Sequence, residues 1–208
     1  MSKVIFLVIV LFSSYALTAA QDLKSAEFFG GYSYETIGTG IRSSDIGTTT
    51  TLDNRSKLNG FNLSGTAYLK KRFGVTGDFS AHFDTRDDLF GAAATRSKFS
   101  LYDITGGPQL RFPGTGRFTP FVQALAGVAR HNLTENFTDG TNLFIDHNTS
   151  FSMNLGGGLD YRLSDRLAVR IFQLDYNPIF LRSRTVDATV LPSETLNGFR
   201  FSTGIVIK

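Results

Sequence analysis

An all-β fold, an eight-stranded antiparallel up-and-down barrel, is predicted by three features of the 208-residue sequence. Apolar and polar residues alternate with period two in segment after segment. Short and long links follow one another strictly between those segments. No cysteine is present, so the sheet must be held without disulfides. The clearest segment is Phe151 to Leu163. Phe151, Met153, Leu155, Gly157, Leu159, Tyr161 and Leu163 fall on one parity, and Ser152, Asn154, Gly156, Gly158, Asp160 and Arg162 on the other. Successive strand residues point to opposite faces, so this spacing makes one apolar and one polar face. Its glycines argue against a helix, each costing about 1 kcal/mol relative to alanine.

The same pattern assigns the other strands. Leu58 to Leu69 sets Phe61, Leu63, Ala67 and Leu69 against Asn62, Ser64, Thr66 and Tyr68. Phe73 to Asp84 sets Val75, Phe79, Ala81 and Phe83 against Thr76, Asp78, Ser80, His82 and Asp84. Ser100 to Phe112 sets Tyr102, Ile104, Pro108 and Leu110 against Asp103, Thr105, Gln109 and Arg111. Asn197 to Lys208 sets Phe199, Phe201, Ile205 and Ile207 against Arg200, Ser202, Gly204 and Lys208. Glu27 to Tyr34 is a shorter first strand, and Phe118 to His131 one whose faces differ less. In Leu167 to Tyr176, Arg170 and Asp175 lie on opposite parities. An extra residue near Phe172-Gln173, a β-bulge, returns both to the polar face.

Lys70-Lys71-Arg72, Pro113 to Arg117 and Ser164-Asp165-Arg166 are the tight links. Glu35 to Lys57, Thr85 to Phe99, Asn132 to Asn148 and Asn177 to Leu196 are the long ones. One rim of turns and one of loops is the asymmetry of barrels that cross a bacterial outer membrane. A soluble, ligand-binding barrel of the lipocalin kind has similar strands but the opposite sidedness. The polar face here is mostly Ser, Thr, Asn, Gly and Asp, which suits the cramped interior of eight strands better than a water-facing wall. The segments also reach the 9 to 11 residues or so that a tilted strand needs to cross a bilayer. Tyr32, Tyr34, Tyr102, Tyr161, Phe83, Phe151, Phe199 and Phe201, on the apolar parity, are expected to form interfacial girdles.

Residues 1–20 stand apart from this pattern. Lys3 precedes an apolar run from Val4 to Phe12, and small residues follow as far as Ala19-Ala20. That is the layout of a cleavable secretory signal, with residues 21–208 forming the barrel domain. The formal net charge of +3 comes without a basic cluster, and export further disfavours nucleic acid as a partner.

Phe28-Phe29-Gly30-Gly31-Tyr32-Ser33-Tyr34 after the signal, Gly106-Gly107-Pro108, Thr119 to Ala124 and Gly198 to Ile205 resemble the OmpA-like outer-membrane β-barrel family over nearly all of residues 21–208. The resemblance implies a transmembrane barrel in a Gram-negative outer membrane, with both termini in the periplasm. Two departures are read in the residues: a second, peptidoglycan-binding domain of the kind OmpA itself carries is not expected, and the sequence given ends Ile207-Lys208, where such barrels usually end on an aromatic residue read by the assembly machinery.

Asp78, Asp103, Asp160 and Asp175 face Arg111, Arg162, Arg170 and Arg200 on the inward parity, a balanced lumen polar network. Counting up from the turns pairs Asp175 with Arg200 and Asp160 with Arg170. His82, His131 and His147 are expected near outer strand ends or loops, with Ser80 and Asp84 beside His82 as a conceivable hydrolytic set. No motif fixes a nucleophile, and no Cys or paired His spacing offers a metal or cofactor site. The expected function is therefore non-enzymatic: a structural or surface-interaction barrel acting through its outer loops. Lipid, lipopolysaccharide, the barrel-assembly machinery and an external ligand are its expected partners. A narrow porin-like pore, a small-molecule-binding barrel and an outer-membrane lipid hydrolase are the alternatives.

Overall fold

The computed structural model describes residues 25–38, 55–90, 93–137, 142–181, 184–186, 189–191 and 193–208. The expected signal segment lies outside these. Period-two patterning is realised as strands throughout: β1 (Ser25–Gly38), β2 (Arg55–Tyr68), β3 (Phe73–Phe90), β4 (Ala93–Arg111), β5 (Phe118–Phe137), β6 (Asn142–Arg162), β7 (Leu167–Leu181), β8 (Arg184–Val186), β9 (Thr189–Leu191) and β10 (Glu194–Ile207). Eight of them close into one antiparallel barrel, each pairing with its predecessor and β10 returning to β1, while β8 and β9 form a separate small hairpin. Closure leaves the sheet without a free edge, which a hydrocarbon environment demands.

The barrel's stagger follows from its ladders. A row of directly paired residues runs Ser25, Tyr68, Gly74, Gln109, Gln123, Gly156, Asp175, Arg200 and back to β1 at Glu35, ten residues above its start. With a rise of about 3.3 Å per residue and strands about 4.8 Å apart, that shear tilts the strands by about 40° from the barrel axis.

At the turn rim the links are tight. Leu69 N and Lys70 N both donate to Phe73 O at 3.1 Å, and Leu163 N and Ser164 N both donate to Leu167 O at 3.0 Å. The opposite rim departs from expectation. The segments 85–99 and 132–148 are mostly strand: the β3–β4 ladder continues to Phe90 opposite Ala93, and β5–β6 to Asn136 opposite Asn142. Thr95 pairs with Phe137 across β4 and β5, so these four strands rise together as one wall. Charged and Asn- or Thr-rich composition marked them as loops, yet paired backbones need only a neighbour, not an apolar face.

A bulge is present in β7, one residue before the expected position. Phe172 pairs with Leu159 and Arg170 with Asp160, leaving Ile171 as the extra residue. Ile171 and Phe172 both face outward as a result, and Arg170, Gln173 and Asp175 all face the lumen. The Arg170 carbonyl, beside the bulge, accepts a hydrogen bond from Thr203 Oγ1 at 2.9 Å.

Outside, large apolar side chains clothe the wall, among them Phe28, Leu63, Val75, Ile104, Val122, Leu155, Leu174 and Ile205. Toward the loop rim, aromatic side chains pair along this face: Phe83 with Tyr102, Phe151 with Phe180, and Tyr176 with Phe199, at ring separations of 5.8, 5.7 and 5.3 Å. Phe118 and Tyr161 pair near the turn rim at 5.1 Å. The wall is thin where strands approach closely. A Cβ on Gly156 would strike the Leu174 carbonyl and Asp175 Oδ1. Gly156→Ala should therefore cost about 1–3 kcal/mol as overpacking, read as a lower urea midpoint for unfolding from lipid vesicles.

Candidate functional site

The interior is filled in layers, each built from inward positions of several strands. At the turn rim, Arg111 Nη1 donates to Glu27 Oε1 at 2.7 Å and its guanidinium stacks 3.6 Å from the Tyr68 ring centroid. Tyr68 Oη donates to Glu27 Oε2 at 3.1 Å and accepts from Gln109 Nε2 at 2.7 Å. Lys208 Nζ lies 3.4 Å from Glu27 Oε1.

Above this, Arg170 is held flat between two rings, 4.4 Å from Phe29 and 4.2 Å from Phe121. Its Nε donates to Asp160 Oδ1 at 2.8 Å and its Nη1 to Gln173 Oε1 at 2.6 Å. Gln173 Nε2 passes the chain on to Asp175 Oδ2 at 2.7 Å. Arg200 follows, with Nη2 2.9 Å from Asp175 Oδ2 and Nη1 2.8 Å from Asp78 Oδ1. The remaining oxygens of these carboxylates accept from Asn62 Nδ2 at 2.7 Å and Gln123 Nε2 at 2.9 Å. Arg200, Asp78 and Asp175 are all buried. Charge inside low-dielectric surroundings persists only when paired and fully hydrogen-bonded, and this arrangement satisfies both conditions.

The next layer holds two more carboxylates. Asp103 accepts from Ser152 Oγ at 2.6 Å and Asn154 Nδ2 at 2.8 Å. Glu35 accepts from Asn177 Nδ2 at 3.0 Å, and its Oε2 lies 3.0 Å from His82 Nδ1. The other ring nitrogen, His82 Nε2, is 2.8 Å from Ser33 Oγ, which in turn is 3.0 Å from Ser202 Oγ. An apolar layer of Ile37, Leu58, Leu101, Ala129 and Ile179, flanked by Phe99, Leu181 and Leu196, closes the lumen toward the loop rim.

Of the eight residues expected in the lumen, Asp78, Asp103, Asp160, Asp175, Arg170 and Arg200 are buried inside, and Arg111 is half-buried at its mouth. Both anticipated pairs, Asp175 with Arg200 and Asp160 with Arg170, are in contact. Arg162 is a correction. It is exposed beside the turns and donates to Gly116 O at 3.4 Å, because β6 ends there and the side chain is free to leave the lumen. The balanced count of four against four is also revised, since Glu27 and Glu35 lie inside as well. Glu35 was hidden by an expected strand end at Tyr34, although its odd parity with Glu27 and Ser33 carries the signal.

The set around His82 is corrected too. His82 is fully buried, and its partners are Ser33 and Glu35 rather than Ser80 and Asp84. His131 is buried against Phe99, the rings 6.3 Å apart. The His147 side chain lies outside the described residues. Among the described residues, no group of three or more His, Asp or Glu is arranged to hold a metal ion.

The family described as outer membrane protein beta-barrel domain matches residues 4–189. No curated protein matches the sequence significantly. Among solved structures, Neisserial surface protein A is similar with a TM-score of 0.62 at 12% identity, over 88% of this chain and 96% of that one. Ail, the attachment invasion locus protein of Yersinia pestis, in complex with the heparin analogue sucrose octasulfate, is similar with a TM-score of 0.53 at 16% identity, over 87% of this chain and 97% of that one. At these identities the likeness is one of fold.

Proposed function

Because the chain belongs to the outer membrane protein beta-barrel domain family and so resides in a bacterial outer membrane, we propose that it is a closed, non-conducting surface barrel. In this reading the wall of β3–β6 above the membrane meets an external partner. The observation that carries this is the lumen: the Arg170 layer, the Arg200 layer and the apolar layer around Leu58 and Leu101 succeed one another across it. Eight strands leave an interior that side chains just fill. A water-filled path would need those layers to part together.

The Ser33, His82 and Glu35 chain has the order of a nucleophile, a base and an orienting carboxylate. Its three members are fully buried, and the wall N–H groups that could stabilise an oxyanion are engaged in strand ladders. That supports a structural role, in which the His82 ring bridges the Glu35 carboxyl and the Ser33 hydroxyl inside the lumen. Residues 1–20 serve in this reading as the export signal, and the folded wall is delivered by the barrel-assembly machinery.

Reconstituted protein should show no conductance steps above background in planar bilayers. Discrete, reproducible steps would establish the pore instead. Hydrolysis of lipid esters abolished by Ser33→Ala would establish the enzyme.

A further inference from the structure

Three cations stand on one side of the barrel's outer face, and beneath them runs an apolar groove. Lys57 on β2, Lys98 on β4 and Arg130 on β5 are exposed on the outward parity, and no ion pair engages them among the described residues. The stagger of the ladders fixes their heights. A row of paired residues climbs ten residues in eight steps, so a level line descends by about 1.25 residues per strand relative to the pairing. On that line Lys57 and Arg130 are at the same height, three strands apart. Phe83 and Tyr102, packed edge to face, lie between them and about 2–4 Å lower, and Lys98 stands about 6 Å higher.

Aromatic side chains at the outer end of an apolar band mark the level of lipid headgroups. The cations therefore sit where phosphates of the outer leaflet would be. On the opposite half of the barrel, at the same height, the outward residues are Thr36, Phe151, Phe180 and Asn197, and none carries charge. The asymmetry is not a property of the rim as a whole.

The groove lies on the same side, with a volume of about 560 Å³. Phe28, Leu63, Phe79 and Ile104 form its walls, and Gly65 and Gly77 its floor. Gly65 pairs with Gly77, and a Cβ built on Gly77 meets nothing within 4 Å. Counting strand rise along the tilted wall, Gly77 is about 17 Å below the level of Lys57 and Arg130, close to the reach of an extended acyl chain hanging from a headgroup.

We propose that this half of the barrel is a seat for a phosphorylated glycolipid of the outer leaflet. Its phosphates lie among Lys57, Lys98 and Arg130, its sugar rests against Phe83 and Tyr102, and one acyl chain occupies the glycine-floored groove. Charge complementarity selects the occupant. A neutral lipid would fill the groove equally well but bring no anion to the three cations, and a zwitterionic one would bring a single phosphate already balanced by its own cation. The proposal requires only that the barrel lie in an outer membrane, and it is independent of whether the lumen conducts or the β3–β6 wall binds a partner.

The test is native mass spectrometry of the folded full chain in neutral detergent, titrated separately with diphosphoryl lipid A, its dephosphorylated form and phosphatidylethanolamine. Diphosphoryl lipid A should be retained at least about tenfold more strongly than the other two, a difference within the range expected of a few charge-assisted contacts. The triple variant Lys57→Gln, Lys98→Gln, Arg130→Gln should keep heat-modifiable gel mobility but lose that preference. Gly77→Phe, filling open space, should weaken retention of both lipid A forms several-fold while leaving the preference for phosphate. Equal retention of phosphorylated and dephosphorylated forms, or a triple variant with its preference intact, would overturn the proposal. Unchanged retention by Gly77→Phe would overturn the assignment of the groove.

Discussion

Arg200→Ala is expected to destabilise the barrel by about 3–5 kcal/mol, the cost of breaking a buried pair by removing one partner. Arg200 is the cation between Asp78 and Asp175, 2.8 Å from one and 2.9 Å from the other. Without it two buried carboxylates face the same space with only the amides of Asn62, Gln123 and Gln173 to hold them. Arg200→Met, which restores volume but not charge, should be nearly as damaging. Adding Asp78→Asn to Arg200→Met should recover part of the loss by removing one of the stranded charges. Urea unfolding from phospholipid vesicles, followed by heat-modifiable gel mobility, measures all three. A shift below about 1 kcal/mol for Arg200→Ala would mean that water replaces the guanidinium and that the lumen is wetter than its packing indicates.

Leu174→Arg is expected to cost about 2–4 kcal/mol, the depth-dependent penalty for a cation on the lipid face near mid-membrane. Leu174 is 57% exposed in the middle of the apolar band, between the inward residues Gln173 and Asp175. The same side chain type one strand over, Arg200, is accommodated because it points the other way. Leu174→Arg thus separates the two faces of the wall on the loop side of the bulge. The measurement is again unfolding from vesicles, with Leu174→Ala as the control expected to change little. An arginine tolerated as well as alanine would place this face in water rather than lipid.

Much of this architecture was legible in the residues. Parity separated Asp78, Asp103, Asp160 and Arg200 from the lipid-facing set, and a bulge was needed to bring Arg170 and Asp175 to the same face. The mismatch between Arg170 and Asp175 located the bulge to within a residue. Strand β5 looked ambiguous for a physical reason: Phe121, Leu125 and Ala129 are inward and apolar, packing in the lumen rather than against lipid. The apolar layer near the loop rim left the same kind of trace, since Leu58, Leu101, Ile37 and Ile179 occupy the polar parity of their strands.

What the sequence determined by itself was the alternation, and with it the strands, their facing and the rim that carries turns, because side-chain direction in a strand is a local property with a fixed period. Which inward groups meet across non-adjacent strands was decided only by closure. Glu35, His82 and Ser33 converge because β1 and β3 flank β2 at a shear of ten residues, and Arg200 reaches Asp78 across the lumen from β10 to β3. The extension of β3–β6 toward the loop rim was likewise settled by pairing. Its residues have the composition of loops, but each backbone found a neighbour already held in register by the barrel below.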